Sequence, residues 1–546
     1  SGDILDINGQ RAEFGGDVTY QGTIDADGLL VFHGGFTKYG TLNNAASGDI
    51  MTMSASGHPT FSYITGYRTF FANGGVQLGT GGFTNVPNAI IASGSLKTGT
   101  RNTSATNLTI ATNGTFEAED NTHTVSGNLN MGGGLIGKSG LDFDGSTATS
   151  SPFTFLDVPY DLSNLQNSDA TIEMWINPES KSGDAKPAGI INGYVGGQTN
   201  RWQFDHLTND TFNFNSHENN QAINFTPNIG KMNHIALVFD DSENLLQIYH
   251  DGKLVGQNTL GTGIDLGTVG ADPDLGISWQ STAKDTIRAG YMGFKGQFYM
   301  YRIFNTARTP AQLRADMFNT HGNMASTTGL QVMYQFDEGS GGAGDTVENK
   351  EGTASRDGVL SNAGAAPNWV GAGTFTRETS GGDGSTVKLT GNGSASFAGT
   401  STEFHNLEVA SSGKTTTFVS VGGDDKRPVI RGTLTHGGGT LTTSTNCSID
   451  IGTGGTVSSG TDTSALYFTR WYSTTAVPAL TSKYLSLQAN VDLAGDQTNT
   501  QYIQFYNNHN TFDFNITTNR IISYANSNVT MGAGTIEFTS TTGWGS

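Results

Sequence analysis

The chain has 546 residues, which is long enough for several domains. Gly accounts for 76 residues, about twice its usual share of roughly 7%, whereas Lys and Arg together number only 28. The formal charge of −20 argues against nucleic acid and anionic membranes as partners, because both attract clustered basic residues.

A single cysteine, Cys447, excludes an intrachain disulfide. The alternating residues 448–451 beside it predict a buried, inert thiol. Large secreted eukaryotic proteins usually carry disulfides, so their absence favours a viral or bacterial protein. No stretch approaches the roughly 20 apolar residues of a membrane span. We interpret the ends at Ser1 and Ser546 as cuts in a longer protein.

Residues 1–140 are predicted to form one or more β-rich units. Gly, Ser, Thr and Asn disfavour helix interiors, while short runs such as VTYQGTI at 18–24 alternate between apolar and polar residues. Further along, NLTIATNGTF at 107–116 and VSGNLNMGGG at 125–134 give the order strand, turn, strand, spacer, strand, Gly-rich turn.

The same order recurs in NLEVASSGKTTTF at 406–418 and IRGTLTHGGG at 430–439, which indicates an internal repeat. Both copies flank residues 141–370, where Trp, Met and longer apolar runs are commoner. We therefore predict an all-β protein in which a self-contained domain is inserted between flanking Gly/Thr/Ser-rich units, either β-sandwich or β-solenoid-like. The flank is divided into a β-rich repeat unit at 371–470 and a truncated β-rich unit at 471–546.

The inserted block is predicted to be a β-sandwich. In ATIEMWINP at 170–178, the side chains of Ile172, Met174 and Ile176 share one face of a strand. One short helix follows the later strands. Its sequence signals are Thr309 as N-cap, Pro310 at the first helical position, Gln312 completing a capping box, and Leu313 and Met317 on the apolar face.

These segments resemble the concanavalin A-like lectin/glucanase superfamily, specifically its laminin G-like branch. The resemblance is carried by LDFDG at 141–145, ATIEMWINP at 170–178, MNHIALVFDDSENLLQIYHDGKLVG at 232–256 and FKGQFYMYRIFNTARTPAQL at 294–313. It implies a jelly-roll of two antiparallel sheets. One motif, GLQVMYQFDEGSG at 329–341, follows the helix here, whereas the family usually places it before LDFDG. Either it closes a permuted sandwich, which we expect, or it begins a second unit.

Catalytic members of this superfamily resemble one another in a strand with acidic residues at alternate positions, which supplies the acid and the nucleophile. In the comparable strand here, Glu173 has no acidic partner at 175 or 177, and Pro178 ends the run. The histidines form no HxH or HExxH motif, and no GxSxG is present. The sequence therefore predicts a protein that is not an enzyme.

Two kinds of binding residue are predicted, each against a structural alternative. Sugar rings could stack on aromatic side chains that otherwise pack in the core, namely Trp202, Trp279 and Tyr291. No cofactor is required, but calcium, which takes six to eight oxygen ligands, could bind acidic turns that are otherwise only solvated. Its candidate ligands are Asp240, Asp241 and Glu243 in one turn and Asp272 and Asp274 in another.

The combined features predict a non-catalytic structural or adhesive protein. We expect a bacteriophage virion or tail-fibre component that displays a glycan-binding sandwich on the virion surface. Exposed strand edges in the flanks favour a homo-oligomer, a trimer in the case of a fibre, with other virion proteins and host-cell glycans as partners. The alternatives are an adhesin or filament on the bacterial surface, a glycan-degrading spike enzyme, and a purely architectural component.

Overall fold

The computed structural model confirms the predicted all-β fold: one short α-helix stands among 54 strands in the described residues. The structure describes residues 4–25, 27–39, 42–43, 48–54, 57–145, 154–161, 164, 167–193, 202–216, 221–259, 275–278, 291–360, 366–376, 384–398, 402–423, 426–444, 446–458, 460–507, 509–512, 514–524, 529–531 and 533–539.

The first part of the chain winds into a parallel β-solenoid. Its strands are β1 (Ile4–Asp6), β2 (Arg11–Phe14), β3 (Val18–Tyr20), β4 (Thr23–Asp25), β5 (Leu29–Phe32), β6 (Phe36–Lys38), β7 (Leu42–Asn43), β8 (Asp49–Thr52), β9 (Thr60–Ser62), β10 (Ile64–Thr65), β11 (Thr69–Asn73), β12 (Val76–Leu78), β13 (Phe83–Thr84), β14 (Val86–Lys97), β15 (Thr103–Glu117), β16 (Thr122–Val125) and β17 (Leu129–Gly133).

Each coil of the solenoid places its strands directly on those of the previous coil. The register pairs Leu30 with Ile50 and Ile50 with Phe70, so equivalent residues recur every 20 positions here. These three side chains point inward and are buried in one continuous core column. Because every second residue of a strand points inward, the alternating pattern of the sequence is what fills this core.

A β-sandwich interrupts the solenoid. Its elements are β18 (Leu141–Asp144), β19 (Leu156–Val158), β20 (Ala170–Pro178), β21 (Ala188–Gly193), β22 (Trp202–His206), β23 (Phe212–Ser216), β24 (Gln221–Phe225), β25 (Asn233–Asp240), β26 (Leu245–His250), β27 (Lys253–Thr259), β28 (Leu275–Ile277), β29 (Met292–Gly293), β30 (Lys295–Phe304), α1 (Pro310–Asp316), β31 (Leu330–Tyr334), β32 (Thr346–Val347), β33 (Gly358–Leu360) and β34 (Asn368–Trp369), with 3-10 turns at His321–Asn323 and Ala354–Arg356.

The sandwich consists of two sheets with a shared apolar core. The first sheet has the order β27-β26-β25-β20-β30-β18-β34, and the second has the order β24-β23-β22-β21-β28-β19-β33-β32. Ile172, Met174 and Ile176 point into the core between them, as predicted. Strand β31, the motif whose role was open, pairs with β30. It therefore closes the sandwich and does not begin another unit.

Helix α1 confirms the capping prediction. Thr309 accepts a hydrogen bond from the backbone of Gln312, whose side chain in turn caps Thr309. Leu313 packs on the outer side of the first sheet, and Met317, just beyond the helix, is also buried.

The two ends of the insert lie side by side. Leu141 of β18 pairs with Trp369 of β34, and the Val370 amide donates to the Gly140 carbonyl at 3.0 Å. At the junction, a Cβ on Gly133 would lie 1.8 Å from the Gly371 carbonyl oxygen, so only glycine fits there. The insert therefore leaves and re-enters a single turn of the solenoid.

The solenoid then continues to the end of the described chain. Its strands are β35 (Thr374–Thr376), β36 (Thr386–Leu389), β37 (Gly393–Phe397), β38 (Thr402–Phe404), β39 (Asn406–Val409), β40 (Thr415–Ser420), β41 (Pro428–Ile430), β42 (Thr433–His436), β43 (Thr440–Thr443), β44 (Ile449–Ile451), β45 (Thr456–Val457), β46 (Thr461–Thr463), β47 (Thr469–Trp471), β48 (Leu480–Leu487), β49 (Val491–Asp492), β50 (Gln497–Phe505), β51 (His509–Phe512), β52 (Ile516–Ser523), β53 (Val529–Met531) and β54 (Ile536–Phe538).

The internal repeat is the solenoid coil, but the predicted equivalence of its two clearest copies is wrong. Leu108 stacks in one column with Leu129, whereas Leu407 stacks with Val387 and Leu434 in the column of a different face. The faces of a solenoid coil are chemically alike. Two strand–turn–strand motifs therefore match in sequence although one of them begins on the neighbouring face of the coil. Cys447 is buried, as predicted. The division of the chain at 140, 370 and 470 stays a prediction.

The sandwich packs against the outside of the solenoid. Eight outward-pointing apolar residues of successive coils form what we call the docking face: Leu29, Val31, Met51, Met53, Phe71, Ile90, Ala92 and Ala111. They contact Trp175, Tyr299 and Met300 of the first sheet, with Met317 and Phe318 after α1. Trp175 is buried, as predicted, but it belongs to this interface and not to the core between the two sheets.

Polar contacts rim the docking face. The Asn73 amide donates to the Met232 carbonyl at 2.7 Å, and the Arg314 guanidinium donates to the Gly9 carbonyl at 3.0 Å. Buried apolar area with satisfied polar groups at its edge is typical of a fixed contact between domains. The solenoid and the sandwich are therefore held in one orientation.

Lowering the pH should destabilise the solenoid through His123. Burial lowers the pKa of this imidazole from 6.5 to about 4, although its hydrogen bond to the Ala118 carbonyl opposes the shift. Because the unfolded state binds the proton first, the stability that His123 contributes is present above pH 6.5 and is lost as the pH falls toward 4. At pH 5 the loss is about 2 kcal/mol.

Urea unfolding at pH 7 and pH 5 measures this effect. A His123→Phe variant should lose less stability than the unmodified chain over the same interval, since it carries no titrating group at this position. Equal losses in both proteins would contradict the assignment.

Candidate functional site

The outer side of the second sheet carries amide and carboxylate side chains, which we call the polar face: Asp157, Asn192, Gln203, Asp205, Asn213 and Asn215. It arises from strict alternation, because Phe204, Phe212 and Phe214 of the same strands point into the core.

The polar face forms a row across neighbouring strands. Asn215 is the register partner of Gln203, Gln203 is the partner of Asn192, and Gly276 lies between Asn192 and Asp157. Asn192 is fully buried and Gln203 nearly so, whereas Asn215 is half-buried. Amides both donate and accept hydrogen bonds, so the half-buried end of the polar face, at Asn215 and its strand neighbour Asn213, can contact a ligand rich in hydroxyl groups.

The two carboxylates of the polar face are far apart. Asp157 and Asp205 lie on β19 and β22, with β28 and β21 between them. Three strand spacings separate their backbones by about 14 Å. Glycoside hydrolysis needs carboxyl groups about 5 to 9.5 Å apart. Asp157 and Asp205 are therefore too far apart for paired acid and nucleophile chemistry.

Two of the three predicted aromatic residues belong to the second sheet or adjoin it. Trp202 is the first residue of β22, opposite Ser216, and its side chain lies outside the described part of the structure. Tyr291 is half-buried and directly precedes β29, which pairs with β21. Trp279 lies outside the described residues. Sugar stacking on these three residues stays a prediction.

The acidic turn proposed for calcium is organised by its own hydrogen bonds. Asp240 Oδ1 accepts from Ser242 Oγ at 2.7 Å and from the Glu243 amide at 3.1 Å, while the Asp241 amide donates to Asp169. Asp272 and Asp274 lie outside the described residues. In the described part of the chain, no group of three or more His, Cys, Asp or Glu side chains could hold a metal ion. Calcium binding stays a prediction.

Glu173 sits in a closed ionic network beneath α1. It is fully buried, and its carboxylate lies 2.7 Å from Arg308 Nη1, 3.4 Å from Arg302 Nη1 and 3.5 Å from His234 Nε2. Arg308 also binds Asp316 at the end of α1. Burial alone would raise the pKa of Glu173, but Arg308, His234 and Arg302 outweigh it and lower the pKa to about 2. Glu173 is therefore a structural anion without access to a substrate.

The sequence contained the signal for the polar face. WQFDH at 202–206 and FNFNS at 212–216 alternate aromatic residues with amides and carboxylates. An Asn or Asp at the outward position of consecutive strands is unusual for a strand that is merely solvated, because Asn and Asp have low β-propensity.

Residues 149–314 match the laminin G-like family model described as the concanavalin A-like lectin/glucanases superfamily. The chain therefore contains a concanavalin A-like domain, as the sequence predicted. A search of curated proteins finds no match. No helix of the described residues is long and apolar enough to cross a membrane.

Several solved structures resemble part of the chain. A candidate carbohydrate-binding protein of Bacteroides ovatus is 19% identical with a TM-score of 0.31, over 43% of this chain and 62% of that protein. The SAP-like pentraxin of Limulus polyphemus is 15% identical with a TM-score of 0.25, over 32% and 80%. The CBM40 of the Ruminococcus gnavus IT-sialidase, bound to α2,3-sialyllactose, is 10% identical with a TM-score of 0.27, over 34% and 100%.

Proposed function

We propose that this chain is a non-catalytic adhesive surface protein that binds glycans through the polar face of its sandwich. The single observation that carries the proposal is the row of amides and carboxylates across the second sheet. Hydroxyl groups of a sugar both donate and accept hydrogen bonds, and the half-buried amides of Asn213 and Asn215 offer both kinds of partner.

The closed environment of Glu173 supports a binding role over a catalytic one. Arginine side chains surround this carboxylate on the strand where catalytic relatives would carry their acids. The two carboxylates of the polar face are too widely spaced to replace it. The glycan would therefore be held and released intact.

The setting that we propose is the surface of a bacteriophage virion, with the chain as part of a tail fibre. The solenoid would act as a rigid stem and the docked sandwich as its binding module. We propose a homo-oligomer, a trimer in a fibre, in contact with other virion proteins, because several copies that each bind host glycans weakly gain avidity together.

Removing two neighbouring amides tests the proposal. We expect Asn213→Ala/Asn215→Ala to weaken glycan binding by the full chain about 10- to 30-fold, since each lost hydrogen bond costs roughly 1 kcal/mol. The unmodified chain is first screened on an array of bacterial and host glycans. The best glycan is then titrated by calorimetry against both proteins.

Asn368→Ala, at an exposed amide on β34 of the first sheet, is the matched control and should bind as the unmodified chain does. Reducing-end detection on the same glycan measures turnover. Turnover by the full chain, or unchanged binding by the double variant, would contradict the proposal.

A further inference from the structure

Aromatic and basic side chains share one outer face of the last coils of the solenoid, which we call the aromatic face. Strands β47, β48, β50 and β52 stack there in this order. Alternation along the strands sends Leu485 and Ile503 into the solenoid core and their neighbours outward. The outward aromatic residues form two columns, one at Phe468, Tyr484 and Tyr502 and one just beyond the strand ends at Tyr472, Tyr506 and Tyr524.

The stacked rings of the aromatic face cover one another's faces. The ring centroids of Tyr484 and Tyr502 are 4.3 Å apart, and Phe468 lies 5.1 Å from Tyr484. In the second column, Tyr506 and Tyr524 stack at 4.2 Å. The surface therefore consists of ring edges and phenol oxygens.

Two of these phenol oxygens are open to a ligand. Tyr484 and Tyr502 are half-buried, and their hydroxyl oxygens are neither enclosed nor hydrogen-bonded to any group in the described part of the chain. A phenol hydroxyl both donates and accepts a hydrogen bond, so each can pair with a hydroxyl group of a sugar.

The aromatic face is basic, although the whole chain has a formal charge of −20. Its four strands contain Arg470, Lys483 and Arg520 and no Asp or Glu. Arg470 pairs with Asp450 of the neighbouring strand β44 at 3.6 Å, whereas Lys483 and Arg520 form no ion pair within the described ranges. Lys483 Nζ lies 5.3 Å from the centroid of the Tyr484 ring, which attracts the cation but leaves its charge in place.

The two unpaired cations are spaced along the solenoid axis. Tyr484 pairs with Tyr502, and Tyr502 pairs with Arg520. Because Lys483 directly precedes Tyr484, two strand spacings, about 10 Å, separate it from Arg520 along the axis. Carboxylates on different residues of one glycan chain can meet both cations, while sugar hydroxyls between them meet the two phenols.

We propose that the aromatic face binds an acidic glycan, whose carboxylates pair with Lys483 and Arg520 and whose hydroxyls exchange hydrogen bonds with Tyr484 and Tyr502. A single-stranded nucleic acid suits the face less well, because bases stack on open ring faces, and here the rings cover one another. The inference rests on the proposed glycan-binding function and adds a second surface, on the solenoid, to the polar face of the sandwich.

Fluorescence anisotropy of the full chain tests the aromatic face, with labelled hexasaccharides of polygalacturonate, alginate and hyaluronan as probes. We expect at least one of them to bind, and neutral maltohexaose to bind at least fivefold more weakly. Lys483→Gln/Arg520→Gln should weaken binding of the acidic probe at least fivefold. Tyr484→Phe/Tyr502→Phe, which keeps the rings and removes only the hydroxyls, should weaken it at least twofold.

Two control variants should bind the acidic probe within twofold of the unmodified chain. Lys414→Gln removes an exposed lysine from a turn elsewhere on the solenoid. Asn213→Ala/Asn215→Ala alters only the polar face. Because Arg520 is exposed and Lys483 half-buried, we expect the charge variant to fold, and circular dichroism verifies it.

The outcomes separate the aromatic face from the polar face. Binding that Lys483→Gln/Arg520→Gln leaves unchanged, or no binding of any acidic hexasaccharide, overturns the inference. Tighter binding of a single-stranded oligonucleotide with the same number of charges, or loss of an oligomer by the charge variant in sedimentation velocity, also overturns it, because the face would then serve nucleic acid or a second copy of the chain. In each of these cases, array glycans lost by the polar-face variant would still support the proposed function.

Discussion

Glu173→Gln should lower the free energy of unfolding by about 3 to 5 kcal/mol, as expected when one partner of a buried ion pair is removed. The substitution keeps the shape of the side chain but removes the carboxylate partner of Arg302 and leaves Arg308 with Asp316 alone. Arg302 is fully buried, so water cannot replace the lost charge. Chemical denaturation of the full chain, followed by tryptophan fluorescence, measures the change.

Glu179→Gln is the control, since Glu179 is largely exposed in its pair with Lys295. A surface pair of this kind contributes about 0 to 1 kcal/mol to stability.

The pKa of Glu173, about 2 in the folded protein against 4.5 ordinarily, adds a second test. The stability that the ionised Glu173 carboxylate contributes is complete above pH 4.5 and is lost as the pH falls toward 2. The Glu173→Gln variant should not show this loss. Equal effects of the two substitutions would contradict the network.

Trp175→Ala should cost about 3 to 5 kcal/mol, because it empties a large buried site. The indole stacks on Phe71 of the solenoid with ring centroids 5.0 Å apart, and its Nε1 donates to the Met317 carbonyl at 2.6 Å. The substitution therefore removes contacts within the sandwich as well as contacts with the docking face. We expect limited proteolysis to release the sandwich from the variant before the solenoid is cut.

A double-mutant cycle distinguishes this interface from an ordinary core. Phe71→Ala and Trp175→Ala should be non-additive by about 0.5 to 1.5 kcal/mol, the value typical of an aromatic pair. Phe70→Ala is the matched control, because Phe70 points into the solenoid core on the same strand. Strict additivity of Phe71→Ala with Trp175→Ala would mean that the two rings do not meet.

The sequence predicted the elements better than it predicted their mutual contacts. Thr309 and Gln312 predicted the start of α1, because capping depends on local sequence. The alternation of Ile172, Met174 and Ile176 predicted which face of β20 points into the core. The outward residues of that strand face three different neighbours, which local pattern does not encode. Glu173 meets arginines, Trp175 meets the solenoid and Asn177 meets Gln297 of β30.

One sequence signal for docking was available. Leu29 to Phe32 is a continuous apolar run, and all four residues are buried, whereas most solenoid strands alternate. In a solenoid, an outward apolar residue needs a cover, so LLVF indicates an external partner for that face.

The junction of the insert also bears on the order of folding. Leu129 and Ala395 are stacked neighbours in the solenoid, although 266 positions separate them along the chain. Once the sandwich has folded, Gly140 and Val370 are joined, and the span to be closed shrinks to about 36 residues, which lowers the closure entropy cost by about 2 kcal/mol. Prior folding of the inserted domain thus favours the joining of the coils on either side of it.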